Sequence, residues 1–254
     1  QRQMCIRDRM YTENERKKKR ILNKAIREFD RFIEDFERYV AASSYAYIQM
    51  GLCYRELKDY EEALYYMEAP ITYFNEAKKS GDKDLQALLA DPAKEAYFYR
   101  AETLLEYACA GKKLRRKRLQ EAIELVDELQ KLFKGKTRDK MILRARLVKA
   151  EALFKMGNTT GALNEAYEVL KLSGEGSWVK WLAQDKVQKF TRAGGGKLPP
   201  DVMKDVITRL LAQRKFREAI QSCRTLMESC KTEEQKKTYI PLAWERIGLS
   251  LIHI

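Results

Sequence analysis

Histidine is almost missing from this chain, which holds a single one, His253. General acid–base and nucleophilic sites recruit histidine more than any other side chain, so its scarcity predicts that the protein is not an enzyme. The cysteines are few and form no CxxC pair, which argues against both a zinc site and a disulfide scaffold. No metal and no cofactor is expected. Proline and glycine are sparse, which excludes collagen-like and low-complexity classes. No apolar run approaches the roughly 20 residues that a membrane-spanning helix needs. The one glycine run, Gly194-Gly195-Gly196-Lys197, lacks the strand before it and the Ser or Thr after it that a phosphate-binding loop requires. It reads as a joint ahead of Leu198-Pro199-Pro200.

Charge is plentiful, with 50 Lys and Arg against 37 Asp and Glu and a net +13. Such an excess favours anionic surfaces, although it also serves solubility. Both ends read as foreign. Met4-Cys5-Ile6-Arg7-Asp8-Arg9 and Leu249-Ser250-Leu251-Ile252-His253-Ile254 are what the two complementary strands of one DNA adapter encode, and they resemble the end of the transposon used to fragment DNA for sequencing. Residues 1–9 and 249–254 are therefore expected to be adapter-derived, and the remainder an internal piece without histidine. Its charge falls to +11 when Arg2, Arg7, Arg9 and Asp8 are set aside. The remaining cysteines, Cys53, Cys109, Cys223 and Cys230, read as small buried thiols. The compartment is not legible.

Apolar residues recur at three and four positions through most of the chain, which predicts helices and no sheet. Eleven are expected, over 13–39, 42–57, 60–79, 92–109, 115–133, 138–155, 159–172, 176–191, 199–212, 215–230 and 232–248. Asp91-Pro92 reads as an N-cap with proline at the first helical position, and Thr137, Asn158 and Thr232 as further caps. Gly81, Gly111, Gly135, Gly157 and Gly174 punctuate the ends.

A repeat carries more information. Gly51 precedes Ala63 by twelve residues, and the same step joins Ala150 to Ala162 and Ile207 to Ala219. Antiparallel helices approach closely only where neither offers bulk at the crossing. Tyr47, Tyr54, Tyr60 and Met67 would fill the gaps around it. Ala101 and Ala122 stand twenty-one apart, so an insertion is expected between them. Trp244-x-x-Ile247-Gly248 reads as the first helix of another pair, with Gly248 its small residue.

The pattern Tyr47-x-x-Met50-Gly51-x-x-Tyr54-x-x-Leu57-x-x-Tyr60-x-x-Ala63-Leu64 resembles the tetratricopeptide repeat. The resemblance implies an all-α, right-handed solenoid of antiparallel helix pairs, arranged as a helical array over 10–193, a joint at 194–200 and continuing helices over 201–248. Residues 25–68 are further similar to repeats of bacterial outer-membrane assembly lipoproteins and of the Tol-Pal coordinating protein, which implies an envelope scaffold as one candidate. Such folds bind peptides along the concave face made by the first helix of each pair. The expected groove residues are Tyr45, Ile48, Gln49, Leu52 and Arg55 in one pair, and Arg144, Leu147, Val148 and Glu151 in another. No Asn stands where a carboxylate clamp would need one. A protein or peptide partner is thus expected.

The runner-up is nucleic acid or anionic lipid held by Lys112, Lys113, Arg115, Arg116, Lys117 and Arg118. No aromatic residue is close to that run in sequence, so any contact would be with phosphate alone and sensitive to salt. A third reading makes the chain an accessory part of a larger enzyme. The carboxylates Glu61-Glu62, Glu121-Glu124 and Asp127-Glu128 read as solvated helix faces.

Overall fold

The computed structural model describes residues 2–111, 113–174, 176–193, 198, 200–212, 214–230 and 232–252, with side chains described only from residue 14 onward. Within these residues the chain is all α-helical, without strands. Eleven α-helices are described: α1 (Arg2–Asp35), α2 (Val40–Glu56), α3 (Tyr60–Ser80), α4 (Lys83–Cys109), α5 (Arg116–Leu132), α6 (Lys140–Lys155), α7 (Thr159–Leu172), α8 (Trp178–Ala193), α9 (Pro200–Ala212), α10 (Phe216–Ser229) and α11 (Glu233–Ile252). Within each of the chain's two compact units helices adjacent in sequence pack on one another, as α2 on α3, α3 on α4 and α10 on α11. A short 3-10 turn covers Lys134–Lys136. No described helix is long and apolar enough to cross a membrane. Helices α1 and α11 run on through residues expected to be adapter-derived. The joint residues 194–197 and Pro199 lie outside the described residues.

The chain divides into two compact units, Gln1–Val148 and Lys149–Ile254, with the break inside α6. In the first, α2 and α3 are antiparallel around Gly51. A Cβ placed on Gly51 would stand 2.7 Å from the Met67 Cγ and 3.0 Å from the Ala63 carbonyl oxygen, so only glycine allows this approach. Ala63 and Met67 are fully buried beside it. Tyr54 stacks on Tyr66 with ring centroids 5.2 Å apart, and Tyr47 lies against Tyr66 and Tyr73. Tyr60 reaches further, stacking on Tyr107 of α4.

Helix α4 is the centre of this unit. It runs antiparallel to α3, since Arg100 pairs with Glu68 and Tyr107 donates a hydrogen bond to Glu61. It is antiparallel to α5 as well, since Tyr97 donates to Glu128 while Arg118 lies over Tyr107. Thus α3 and α5 are parallel to one another. Ile48, Ile71, Tyr97, Phe98, Val126, Ile142 and Val148 make one buried cluster with the alanines Ala96, Ala101 and Ala145.

Two expectations about helix ends are corrected. Helix α4 starts at Lys83 rather than at 92, capped by Asp82, whose carboxylate accepts from the Leu85 N–H at 2.9 Å. Leu85, Leu89 and Ala93 fall one turn apart and pack on Phe74 and Ala77 of α3, and this burial carries the helix through Pro92. Leu88, whose carbonyl Pro92 cannot serve, stands exposed where water can. Thr137 is no cap for α6; Asp139 is, accepting from the Met141 N–H. The glycines Gly111 and Gly174 follow the ends of α4 and α7, and Gly135 lies in the 3-10 turn after α5, while among the described residues Gly81, Gly157 and Gly176 are left-handed. Asn158 and Thr232 do cap α7 and α11.

The insertion between Ala101 and Ala122 is divided. Helix α4 continues about one turn further past Ala101 than α2 does past Gly51, and α5 starts about one turn earlier before Ala122, with a longer connection between them. Both alanines are fully buried.

In the second unit α7 packs on α8, and α9 and α11 both pack on α10. Ala150, Ala162 and Ala219 are fully buried and Ile207 nearly so. Lys149 and Glu165, 2.9 Å apart, join α6 to α7. Met203, Ile207, Cys223, Leu226, Ala243 and Ile247 form the core of the last three helices. Gly248 differs from Gly51, because a Cβ there would meet nothing within 4 Å among the described residues. Cys223 and Cys230 are buried, and burial pushes the Cys223 thiol up to about 11. Cys109 is exposed and Cys53 half-buried, contrary to the expectation of buried thiols throughout.

Candidate functional site

Helix α2 packs on α3 with one face and on α4 with another, so little of it is left for a ligand. The register with α4 is parallel. Tyr45 lies close enough to Glu95 and Asp91 to feel their charge, and one helix end later Arg55 Nη1 pairs with Glu102 Oε2 at 2.6 Å. Helix α6 continues the same order, with Lys94 paired to Asp139 at 2.8 Å and Arg144 over the Phe98 ring at 4.1 Å. The first helices α2, α4 and α6 therefore lie side by side and parallel. Glu95, Tyr99 and Glu102 fall at i, i+4 and i+7 on the α4 face they share with α2.

The expected groove residues separate into three groups. Tyr45 and Gln49, one turn apart, are exposed on this face, with Leu52 and Arg55 half-buried below them. Ile48, Leu147 and Val148 are core residues instead, each less than a tenth exposed. The reason is geometric: a helix gripped by both its partner and a neighbour buries roughly two thirds of its circumference, and these three point into that part. Glu151 is the third case and belongs to the second unit. It is buried between Lys186 and Lys189, at 2.5 and 2.7 Å, so its charge is spent inside the fold.

The cations of this face are likewise engaged. Arg55 holds Glu102 and lies 6.0 Å from the Tyr99 ring centroid, while its Nε–H, buried, has no acceptor among the described residues. Arg144 covers Phe98 and contacts the Met141 sulfur. Lys94, almost fully buried, binds Asp91 and Asp139 together. Burial acts to lower the Lys94 ammonium, but these two carboxylates outweigh it and raise it above the ordinary lysine value. Asp139 shows the converse: burial would raise its carboxyl, and Lys94 and the Met141 N–H hold it below the usual range. Glu95 is the carboxylate left with least compensation. Burial first, and then Asp91, push it up, against the pull of Arg144 and Lys94. The same two causes, burial and then the Glu95 and Asp91 charges, raise Tyr45.

What remains is a strip of aromatic, amide, aliphatic and carboxylate side chains: Tyr45, Gln49, Leu52, Glu95 and Tyr99. It is less basic than Arg55 and Arg144 suggest in sequence. The spacing of Glu95 and Tyr99 with Glu102 was visible within the expected helix 92–109, but not that α2 packs beside that face.

The basic run 112–118 is broken up. Lys112 lies outside the described residues. Arg115 is folded back on α4, its guanidinium 4.4 Å from the Tyr107 ring centroid and its Nη1 donating to the Tyr107 carbonyl at 2.8 Å. Arg118 lies over the same ring and pairs with Glu121. Lys113, Arg116 and Lys117 are exposed. An aromatic residue is therefore next to the run in space, though not in sequence, and it is occupied by the run's own arginines. Among the described residues no group of three His, Cys, Asp or Glu side chains is placed to hold a metal ion.

No family model matches this chain, and no curated protein and no solved structure does either.

Proposed function

We propose that the chain is a non-catalytic, tetratricopeptide-like scaffold that binds a peptide segment of a partner protein along α2, α4 and α6. The observation that supports this most is the parallel placement of α2 beside α4, which leaves Tyr45 and Gln49 exposed next to Glu95 and Tyr99 on one strip. Rings, an amide and a hydrogen-bond-accepting carboxylate suit an apolar or weakly basic segment, laid down extended or helical. A carboxylate-terminated peptide is disfavoured, because Arg55 and Arg144 already have partners.

A photo-crosslinking amino acid at Gln49 tests this, with Lys79 of α3 as the exposed control. The expected result is one discrete adduct from Gln49 and none from Lys79, lost when Tyr45→Glu is added. Equal adducts from both positions would sink the proposal.

A further inference from the structure

A second surface lies on the far side of α4 from the strip above. Parallel helices α3 and α5 leave between them a groove of about 650 Å³, floored by Arg100 and Leu104 of α4. Those floor residues lie on the side of α4 turned away from Glu95, Tyr99 and Glu102. The walls carry Glu61 and Glu68 on α3, and Glu121, Glu124 and Glu128 on α5, with Leu64 and Leu125 beneath them and Tyr65 at the rim, 69 % exposed.

We propose that this groove is a second docking site, which takes a Lys- and Arg-rich amphipathic helix of a partner protein. Five carboxylates face two cations here, in a chain whose net charge is +13. Like charges one turn apart on a helix face repel, and elsewhere this chain relieves its surface glutamates with lysines three residues away, as at Glu168–Lys171 and Glu233–Lys236. In the groove only Glu121 has such a partner among the described residues, Arg118 three residues before it. Glu68 and Glu121 pair with Arg100 and Arg118. Glu61 and Glu128 are held instead by neutral phenols, Tyr107 and Tyr97, each at 2.8 Å, and Glu124 by the Gln120 amide at 3.0 Å.

A neutral donor fixes a carboxylate without cancelling its charge, and this holds best at Glu128, because Arg115 and Arg118 lie over the Tyr107 ring that holds Glu61. The fully buried Tyr97 thus spends its only donor on aiming Glu128. The groove is preorganised and keeps its field. Its floor and rim add apolar surface from Leu64, Leu104, Leu125 and Tyr65, which a bare cation would leave unused. Each wall extends about 10 Å, two helical turns, which matches a short helix with basic edges and an apolar stripe. The net positive charge of the chain opposes long-range attraction of such a segment, so capture must be local.

The test uses the full chain and a fluorescein-labelled amphipathic peptide of about 14 residues, Lys and Arg on its flanks and Leu along its centre, read by anisotropy at low and moderate salt. The expected result is saturable binding, weakened about tenfold or more by Glu61→Lys with Glu124→Lys and severalfold by Tyr65→Ala, and unchanged by Gln49→Lys on the other face. Failure of the basic peptide to bind overturns the proposal. So does equal binding by a scrambled peptide of the same charge, or binding that survives the double reversal, or loss on Gln49→Lys alone. Circular dichroism checks that each variant folds; if the double reversal does not, Glu124→Gln and Tyr65→Ala decide by the same readout.

Discussion

A single hydrogen-for-methyl exchange separates two glycines of this chain. At Gly51 a methyl group would collide with Met67 and with a backbone carbonyl, whereas at Gly248 it would meet nothing. Gly51→Ala is therefore expected to destabilise by about 1–3 kcal/mol through forced separation of α2 and α3, and Gly248→Ala to stabilise by roughly 0.5–1 kcal/mol as an ordinary helix substitution. Denaturant midpoints of the two variants check the opposite signs. Glu151 offers a second residue-level test. Burial would raise its carboxyl, but Lys186 and Lys189 together hold it below the ordinary value. The unfolded chain then takes up the proton first as pH falls. The stabilisation is complete above the unfolded carboxylate value of about 4.3 and is lost as pH drops through the folded one. With the lysines partly exposed, Glu151→Gln is expected to cost about 1–3 kcal/mol near neutrality, with the difference vanishing in acid; parallel urea curves at every pH would refute this. The small residues Gly51 and Ala63 were legible in sequence because little else fits a close crossing. Glu151, Ile48, Leu147 and Val148 were misread because periodicity shows that a helix has a buried face, but not how many neighbours share it.

At the level of elements, the start of α4 decides how much of that helix packs on α3. Asp91-Pro92 has the sequence of a helix start, yet the helix begins at Lys83 behind the Asp82 cap. Asp82→Ala is expected to cost about 1 kcal/mol and to speed amide exchange at Leu85. Asp91→Ala should cost less, since Asp91 is exposed and Lys94 retains Asp139; equal losses would restore the start at Asp91. A proline read as a boundary turned out to be interior because Leu85, Leu89 and Ala93 bury against α3, a tertiary contact with no local signature. The helices themselves were legible almost throughout, since their period repeats over many turns. Four of the five carboxylates of the α3–α5 groove were visible in three separate runs and Glu68 in none, because only the packing on α4 brings them together.

Over the whole molecule, the positive balance of +13 predicts weak attraction to any polyanion. Affinity for single-stranded homopolymeric nucleic acid should fall steeply with salt and show no base preference. Base-selective or salt-insensitive binding, measured by filter retention, would instead require a dedicated site. Charge is not spread evenly, however, and carboxylates outnumber Lys and Arg between Gly51 and Arg100, the stretch that supplies α3 and most of α4. Next to that stretch stands Cys109, the one exposed thiol of the four described. Maleimide chemistry under mild conditions would find it well before the buried pair Cys223 and Cys230, so a dye or spin label could be attached at the end of α4 without engineering a new cysteine.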